Sequence, residues 1–177
     1  KPTRITAAVS LGSGDIINVE REAGLSGSTH NKGVLIISGY FRDNFGKNVL
    51  PSFKASLVFE QGYGMIDGDS ASSTEICALL SCLSGIPIKQ NFAITGSVNQ
   101  KGDIQPVGGI NEKIEGFFEV CKSRGLDGTH GVVIPAKNVK DLMLNDEVIN
   151  AVKDKKFQVY PVERIEEAIE ILTGVKA

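Results

Sequence analysis

Gly68-Asp69-Ser70-Ala71-Ser72-Ser73, continued by Ile76, Leu79, Leu80 and Leu83, is the stretch on which the reading of the fold turns. The apolar residues recur at i, i+3, i+4 and i+7, the spacing of one helix face. The segment before them, Gly62-Tyr63-Gly64-Met65-Ile66-Asp67-Gly68, is a glycine-punctuated loop. A helix is therefore expected from Asp69 or Ser70 to Leu83. Ser72-Ser73-Thr74-Glu75 also fits a capping box, an alternative start two residues later. Either way a serine stands where helix N–H groups converge, a place that favours developing negative charge.

Reading outward from this stretch, strands and helices alternate. Upstream, Ile5–Leu11 and Asp15–Glu22 read as two strands around the turn Gly12-Ser13-Gly14, and Val34–Phe41 as a third. Val49–Gln61 carries Leu50, Phe53, Leu57 and Val58 near helical spacing, with Pro51 early, where a helix tolerates it. Downstream, Phe92–Val98 is a strand in which Gly96 signals a bulge or a close backbone approach. A loop through Gly102, Pro106 and Gly108-Gly109 leads to a helix from Gly109 that ends near Gly125. Val132-Val133-Ile134 is a short buried strand stopped by Pro135. Helical segments at Ala136–Leu144 and Glu147–Lys153 follow. Phe157–Val162 closes as a strand, and Ile165–Leu172 as a helix ended by Gly174. No repeat, low-complexity tract or linker interrupts residues 1–177, so the expectation is one mixed α/β unit.

Bulk properties set the class. At 177 residues the chain is long enough to build a core without disulfide or metal staples. Lys plus Arg is 19 and Asp plus Glu is 21, a net charge of −2, which gives no basic field for nucleic acid. No apolar run reaches the roughly 18–20 residues a membrane span needs, and the N-terminus carries no charged-then-apolar leader. Cys77, Cys82 and Cys121 are odd in number and form no CxxC or Cys/His cluster, so metal and disulfide roles are not expected. All three read as reduced core residues, and the location expected is cytoplasmic. The chain opens on Lys1 rather than Met, which suggests an excised domain of something longer.

Lys113 carries the sharper chemical signal. In the helix from Gly109, the residues Ile110, Ile114, Phe117, Val120 and Cys121 form one stripe, while Glu112, Glu115, Glu119 and Lys122 take the opposite face. Lys113 falls within the stripe. Two readings are open: a long stem that snorkels at the stripe's edge, or an amine whose proton is held loosely in a low dielectric and which acts as a general base. Ser70 likewise reads either as a helix N-cap, as Asp69 also does, or as a nucleophile. Other designs fit poorly. Gly68-Asp69-Ser70-Ala71-Ser72 is a near miss of the G-x-S-x-G elbow and follows a loop instead of a strand. His30 and His130 sit in no recognisable triad context, though Ser–His chemistry stays open. There is no S-x-x-K and no P-loop. Ser70 and Lys113 together supply a nucleophile and a base, as in a serine–lysine hydrolase.

A family resemblance adds to this. Asp67-Gly68-Asp69-Ser70-Ala71-Ser72, Ile86-Pro87 and Ala93-Ile94-Thr95-Gly96-Ser97 resemble the proteolytic domain of Lon proteases, and so does the run from Gly102 to Lys113. Val133-Ile134-Pro135 and Val162-Glu163-Arg164-Ile165-Glu166-Glu167-Ala168 are similar to that family as well. His30-Asn31-Lys32-Gly33 resembles the Lon-B branch, as does Asp69 beside the serine with Ser72 two after it. The match runs in order over nearly the whole chain.

The resemblance implies an α/β (α+β) fold of short mixed sheets with packed helices, and a Ser–Lys dyad with Ser70 as nucleophile and Lys113 as base. It implies peptide-bond hydrolysis on unfolded or damaged polypeptides, through a hexameric ring whose sites face a chamber. ATP and magnesium are then expected only in an ATPase module of the parent, with no cofactor or metal in this domain. Backbone N–H groups from Asp69 to Ala71 are the expected oxyanion donors. Thr95 is expected either to orient the lysine or to serve as an ordinary strand threonine. Asp69 beside the serine could hold an inactive arrangement until assembly, and Asp67 could pair with Lys113 and keep it protonated. Both also read as loop or cap carboxylates. His30 reads as a loop-end hydrogen-bonding residue, His130 as part of a turn, and Lys32 and the cluster 153–156 as solvated charges. The contrasting reading is a catalytically silent Lon-like domain that serves assembly or substrate docking.

Overall fold

The computed structural model describes residues 2–46 and 53–177. Strand β1 (Ile5–Leu11) turns through residues 12–15 into β2 (Ile16–Asn18) and the short helix α1 (Val19–Glu22). The turn read in the sequence is present, but the two strands do not pair with each other. Strand β3 (Phe53–Phe59) inserts between them, antiparallel to β1 from Ile5↔Phe59 to Leu11↔Phe53 and parallel to β2 from Ile16↔Ala55 to Asn18↔Leu57. The strand expected over Asp15–Glu22 stops early because the Asn18 side chain accepts the Arg21 N–H and starts α1.

Two expectations in this half are corrected. Val34–Phe41 is not a strand; it lies inside helix α2 (Ser28–Phe45). Its buried residues are Val34, Ile37, Tyr40 and Phe41, with His30 and Gly33 one turn earlier, and Leu35 faces solvent. That is a helical stripe, which the run Val-Leu-Ile-Ile, with three of its four residues β-branched, disguises. Conversely, the helix expected over Val49–Gln61 is β3, in which Ala55, Leu57 and Phe59 are buried while Lys54 is exposed. This period of two places Leu57 and Val58 on opposite faces. Leu50 and Pro51 lie outside the described residues.

Helix α3 spans Ser72–Ser84, so the helix starts after the serine, at the later of the two expected positions. The capping box does not form. Ala71 is the N-cap without a side-chain bond, and Glu75 turns into the interior. Strand β4 (Phe92–Ile94) leads into β5 (Ser97–Val98), which pairs antiparallel with β6 (Ile104–Gln105), so the single strand expected over Phe92–Val98 breaks at Thr95-Gly96. Helix α4 (Ile110–Ser123) precedes β7 (Gly131–Pro135), a 3₁₀ turn (Ala136–Asp141), α5 (Asp146–Lys153), β8 (Gln158–Val162) and α6 (Ile165–Thr173). Gly174 ends α6 in the left-handed conformation, as read.

The second sheet, β4-β7-β8, is parallel, with β7 at its centre and all five of its residues buried. Val133 joins a core with Ile37, Leu57, Ile76, Leu79 and Ile165, while Val132 and Ile134 join a second with Ile114, Phe118, Val148 and Phe157. Burying each such side chain contributes roughly 1.5–3 kcal/mol. β7 is thus the shared wall between the half that carries Ser70 and the half that carries Lys113. Cys77 and Cys121 are buried core thiols, and burial pushes the Cys77 thiol up to about 12. Cys82 is exposed, contrary to expectation, because α3 emerges from the core in its last turn.

Candidate active site

The turn that carries Ser70 is tied down on both flanks. The Ser70 carbonyl accepts the Gly96 N–H at 2.9 Å and the Thr95 hydroxyl at 3.4 Å. The Asp69 carbonyl accepts both the Ser72 N–H at 3.0 Å and the Ser72 hydroxyl at 2.8 Å. Ser72 Oγ in turn accepts the Val98 N–H at 2.9 Å, and the Ser73 N–H reaches the Gly96 carbonyl at 3.1 Å. Segment 95–98 is thereby laced along the start of α3. The break at Gly96 is what permits this: its φ of 157° leaves the strand, and a Cβ there would stand 3.0 Å from Ile104 Cγ2.

The two neighbouring carboxylates have structural partners. Asp69 Oδ2 accepts the Ser97 hydroxyl at 2.9 Å. Asp67 Oδ1 accepts the N–H groups of Gly68 at 2.9 Å, Thr29 at 3.0 Å and His30 at 3.2 Å, so it caps the first turn of α2 across the chain. The N–H groups of Gly68 and His30 are the main reason its pKa lies below the ordinary carboxylate value. The expected pairing of Asp67 with Lys113 is not formed, because the carboxylate serves the positive end of α2 instead. Thr95 orients the Ser70 carbonyl rather than the lysine.

What stays open in this turn is its chemistry-bearing edge. Among the described residues, nothing bonds the Ser70 hydroxyl or accepts from the N–H groups of Asp69, Ser70 and Ala71. Three consecutive donors at a helix start, beside an unbonded hydroxyl, form a geometry suited to a developing oxyanion.

Lys113 stands in the first turn of α4, its N–H bonded to the Gly109 carbonyl at 3.0 Å. The buried stripe of α4 runs through Ile110, Ile114, Phe118 and Cys121, so Phe117 and Val120 are only partly covered and Lys113 is an exposed residue at the edge. Partial desolvation nevertheless lowers its pKa from the ordinary lysine value. No hydrogen bond joins Lys113 to Ser70, and none of the described carboxylates pairs with it. Its loop is held by Asn138, 2% exposed, which accepts the Val107 N–H at 2.9 Å and donates to the Val107 carbonyl at 3.0 Å. Asn111 secures the helix start by donating to the Asp141 carbonyl and accepting the Met143 N–H.

Sequence reasoning missed Asn138 and the pair His30–Glu75. A lone asparagine in a polar 3₁₀ turn gives no signal until its partner 31 residues away is known. Glu75 gave one: it falls on the apolar face of its helix, one residue before Ile76. His30 is the third residue of α2 rather than a loop end, and Lys32 and residues 153–156 are exposed as read.

Residues 48–174 match the family model of the Lon protease (S16) C-terminal proteolytic domain. The chain is 45% identical over 175 residues to a protein named as a Lon protease homolog from Escherichia coli (strain K12), covering 99% of this chain and 30% of that protein. It is 47% identical over 174 residues to a protein of the same name from Haemophilus influenzae, with 98% and 29% covered. An archaeal Lon protease of Pyrococcus abyssi is 34% identical over 148 residues, 84% of this chain and 14% of that protein. The chain thus spans under a third of the length of these curated relatives. Among the described residues, no helix is long and apolar enough to cross a membrane.

Proposed function

The chain belongs to the Lon protease (S16) family and carries its serine-protease domain, and on that premise we propose that Ser70 and Lys113 hydrolyse peptide bonds as a dyad. The observation that carries this reading is the Ser70 turn: the carbonyls of Asp69, Ser70 and Ala71 and the carboxylates of Asp67 and Asp69 are engaged, while the hydroxyl and three N–H donors are not. Neutral Lys113 takes the Ser70 proton as Oγ attacks the peptide carbonyl carbon. The N–H groups of Asp69, Ser70 and Ala71 stabilise the oxyanion. Lys113 returns the proton to the leaving nitrogen as the C–N bond breaks, leaving an acyl-serine and a free amine. Water then attacks the ester, with Lys113 again as base, and the acid leaves as Ser70 regains its proton. Lys113 must come into hydrogen-bond range of Ser70 for the first step, and its exposed position on α4 leaves it free to do so.

For the whole protein, we infer an assembly of further modules. Unfolded polypeptide is the substrate, a hexameric ring encloses the sites, and an ATPase module supplies ATP- and magnesium-dependent delivery in the cytoplasm. This domain contributes the nucleophile and base without metal or organic cofactor. The missing Ser70–Lys113 bond favours one alternative, a silent domain that serves docking or assembly.

The test is cleavage of an unfolded model protein by the full-length protein and by this domain, with Ser70→Ala and Lys113→Ala alongside. Cleavage that both variants abolish supports the dyad. Cleavage unchanged in either variant refutes it. If even the full-length protein does not cleave, the silent reading stands.

A further inference from the structure

The most unusual buried feature lies behind the Ser70 turn and takes no part in the chemistry above. His30 and Glu75 are each almost fully buried, their side chains 1% and 2% exposed, with His30 Nε2 3.3 Å from Glu75 Oε1. His30 Nδ1 is 2.7 Å from Ser26 Oγ, and Ser26 Oγ is 2.7 Å from Asn31 Oδ1. An amide oxygen only accepts, so the one Ser26 hydrogen goes to Asn31. His30 Nδ1 must therefore donate to Ser26. A carboxylate accepts from Nε2–H and a protonated carboxyl donates to a bare Nε2, so either way one proton lies between Nε2 and Oε1. His30 and Glu75 are thus a buried pair that shares a proton. The edge of the Phe59 ring system meets the imidazole at a centroid distance of 5.4 Å and walls it from water.

This pair joins the two elements that define the nucleophile. Glu75 is on the first turn of α3, its N–H bonded to the Ala71 carbonyl at 3.0 Å. His30 is on the first turn of α2, whose backbone Asp67 caps. On either side of His30, α2 lies directly against the Ser70 turn. A Cβ on Gly27 would stand 2.6 Å from Asp67 Oδ1, and one on Gly33 would stand 3.3 Å from Asp69 Cβ. Gly27 also donates to the Ile66 carbonyl at 2.7 Å. The first two turns of α2 thus form the bed on which residues 66–71 rest, and the His30–Glu75 pair is the side-chain bolt between bed and helix.

Resting on the protease reading above, we propose that His30 and Glu75 are positioning residues: their shared proton locks the Ser70 turn onto α2, and losing it as pH rises frees the turn. The groups that face the pair set the direction. From α3, acceptance of the Nε2–H by Glu75 raises the His30 pKa above its ordinary value, against the opposing effect of burial. Glu20 on α1 and Asp67 on the loop add smaller effects of the same sign. Burial raises the Glu75 pKa, only partly countered by His30, and Glu20 raises it further. The second oxygens of Glu20 and Glu75 are both buried without a hydrogen-bond partner, so a second negative charge here has nothing to absorb it. Both shifts are upward. The shared proton is therefore held below the ordinary histidine pKa, down to the pH at which Glu75 takes up a proton of its own, and is lost as pH rises through the folded-state His30 value.

The test is amide hydrogen exchange of the full-length protein, followed by mass spectrometry at pH 6 to 9 and corrected for the intrinsic pH dependence of exchange. In the wild type, exchange across 66–72 should accelerate at alkaline pH while α5 (146–153) does not. Glu75→Gln and His30→Gln should each exchange 66–72 at least tenfold faster at pH 7. The double variant H30Q/E75Q, in which two amides can bond without charge, should recover most of the protection and show no alkaline release. Single variants with wild-type exchange at 66–72 would overturn the proposal, as would alkaline release that persists in the double variant. In the cleavage assay, the singles should lose at least tenfold in kcat with KM within twofold, and the alkaline fall in kcat should vanish in the double variant. If Ser70→Ala leaves cleavage intact, the protease reading fails, and exchange alone still decides this one.

Discussion

Replacing Gly96 by alanine tests stability and chemistry at once. The residue holds φ at 157°, a region that costs a side chain roughly 1–3 kcal/mol. Its new methyl would stand 3.0 Å from Ile104 Cγ2 and 3.4 Å from Ser73 Oγ. Ile104 is 3% exposed in the core, so this crowding adds about 1 kcal/mol, the low end of the cost of overpacking. Restricting the unfolded chain returns about 0.4–1 kcal/mol. The net loss is then about 1–3.5 kcal/mol, a fall in Tm of roughly 2–14 °C for a domain of this size. Gly96 also donates to the Ser70 carbonyl and accepts from Ser73, so relaxation around the methyl moves the nucleophile. A displacement of the order of 1 Å costs about 100-fold in a positioned reaction, and kcat should fall by at least about tenfold. The assay is a thermal melt with peptide cleavage, run beside Gly116→Ala. Gly116 is in α4 with nothing within 4 Å of a Cβ, so the same chemical change should raise stability there by about 0.5–1 kcal/mol. Gly96→Ala melting within 1 °C of wild type, at unchanged kcat, would refute the account of why the strand breaks here.

Other expectations concern charge and core. In the H30Q/E75Q background, where alkaline release of the Ser70 turn is absent, kcat/KM should rise about tenfold per pH unit below the Lys113 pKa as the amine loses its proton, and should level off below the ordinary lysine value because desolvation lowers that pKa. Lys113→Arg cannot deprotonate and should lose roughly 10²–10⁴-fold at the plateau, and with it the rise with pH. Asp67 has a depressed pKa, so its contribution to stability is present above the ordinary carboxylate value and is lost as pH falls through the folded one. Melts between pH 6 and 3 should therefore drop less steeply for Asp67→Asn than for wild type. Phe118, 1% exposed and edge-on to Phe157 at 5.3 Å, should cost about 3–5 kcal/mol on truncation to alanine, read as a shifted denaturant midpoint.

The half of the chain after Ser70 was largely legible because its signals are local. α4 and α6 carry unbroken 3.6-residue stripes, glycine ends α6, and β7 is a short apolar run between turn residues. The half before it was misread in two places for one reason. Val34–Phe41 is rich in residues that favour strands yet buries a helical face, and Phe53–Phe59 shows helix-like spacing yet alternates. Short apolar runs fit both periods, and the arrangement of partners decides between them. Strand β3 is settled by slotting between β1 and β2, a pairing that no window of sequence contains.

The same division holds at the site. By itself the sequence determined the cast: a serine at a helix start, a lysine one turn into a later helix, a glycine where a strand must break, and a family motif running through them. These depend on spacing within single elements, which covalent geometry and helix period dictate. Tertiary structure alone decided their employment. Asp67 caps α2 instead of pairing with Lys113, Thr95 holds the Ser70 carbonyl, Lys113 stands at the edge of its stripe, and Glu75 meets His30 in the interior. The contacts of Asp67, Thr95 and Glu75 join residues 25 to 45 positions apart, and the exposure of Lys113 follows from which face of α4 packs inward. Which polar group meets which is set by how the helices and sheets pack, because a buried donor or charge must find whatever partner the packing brings to it.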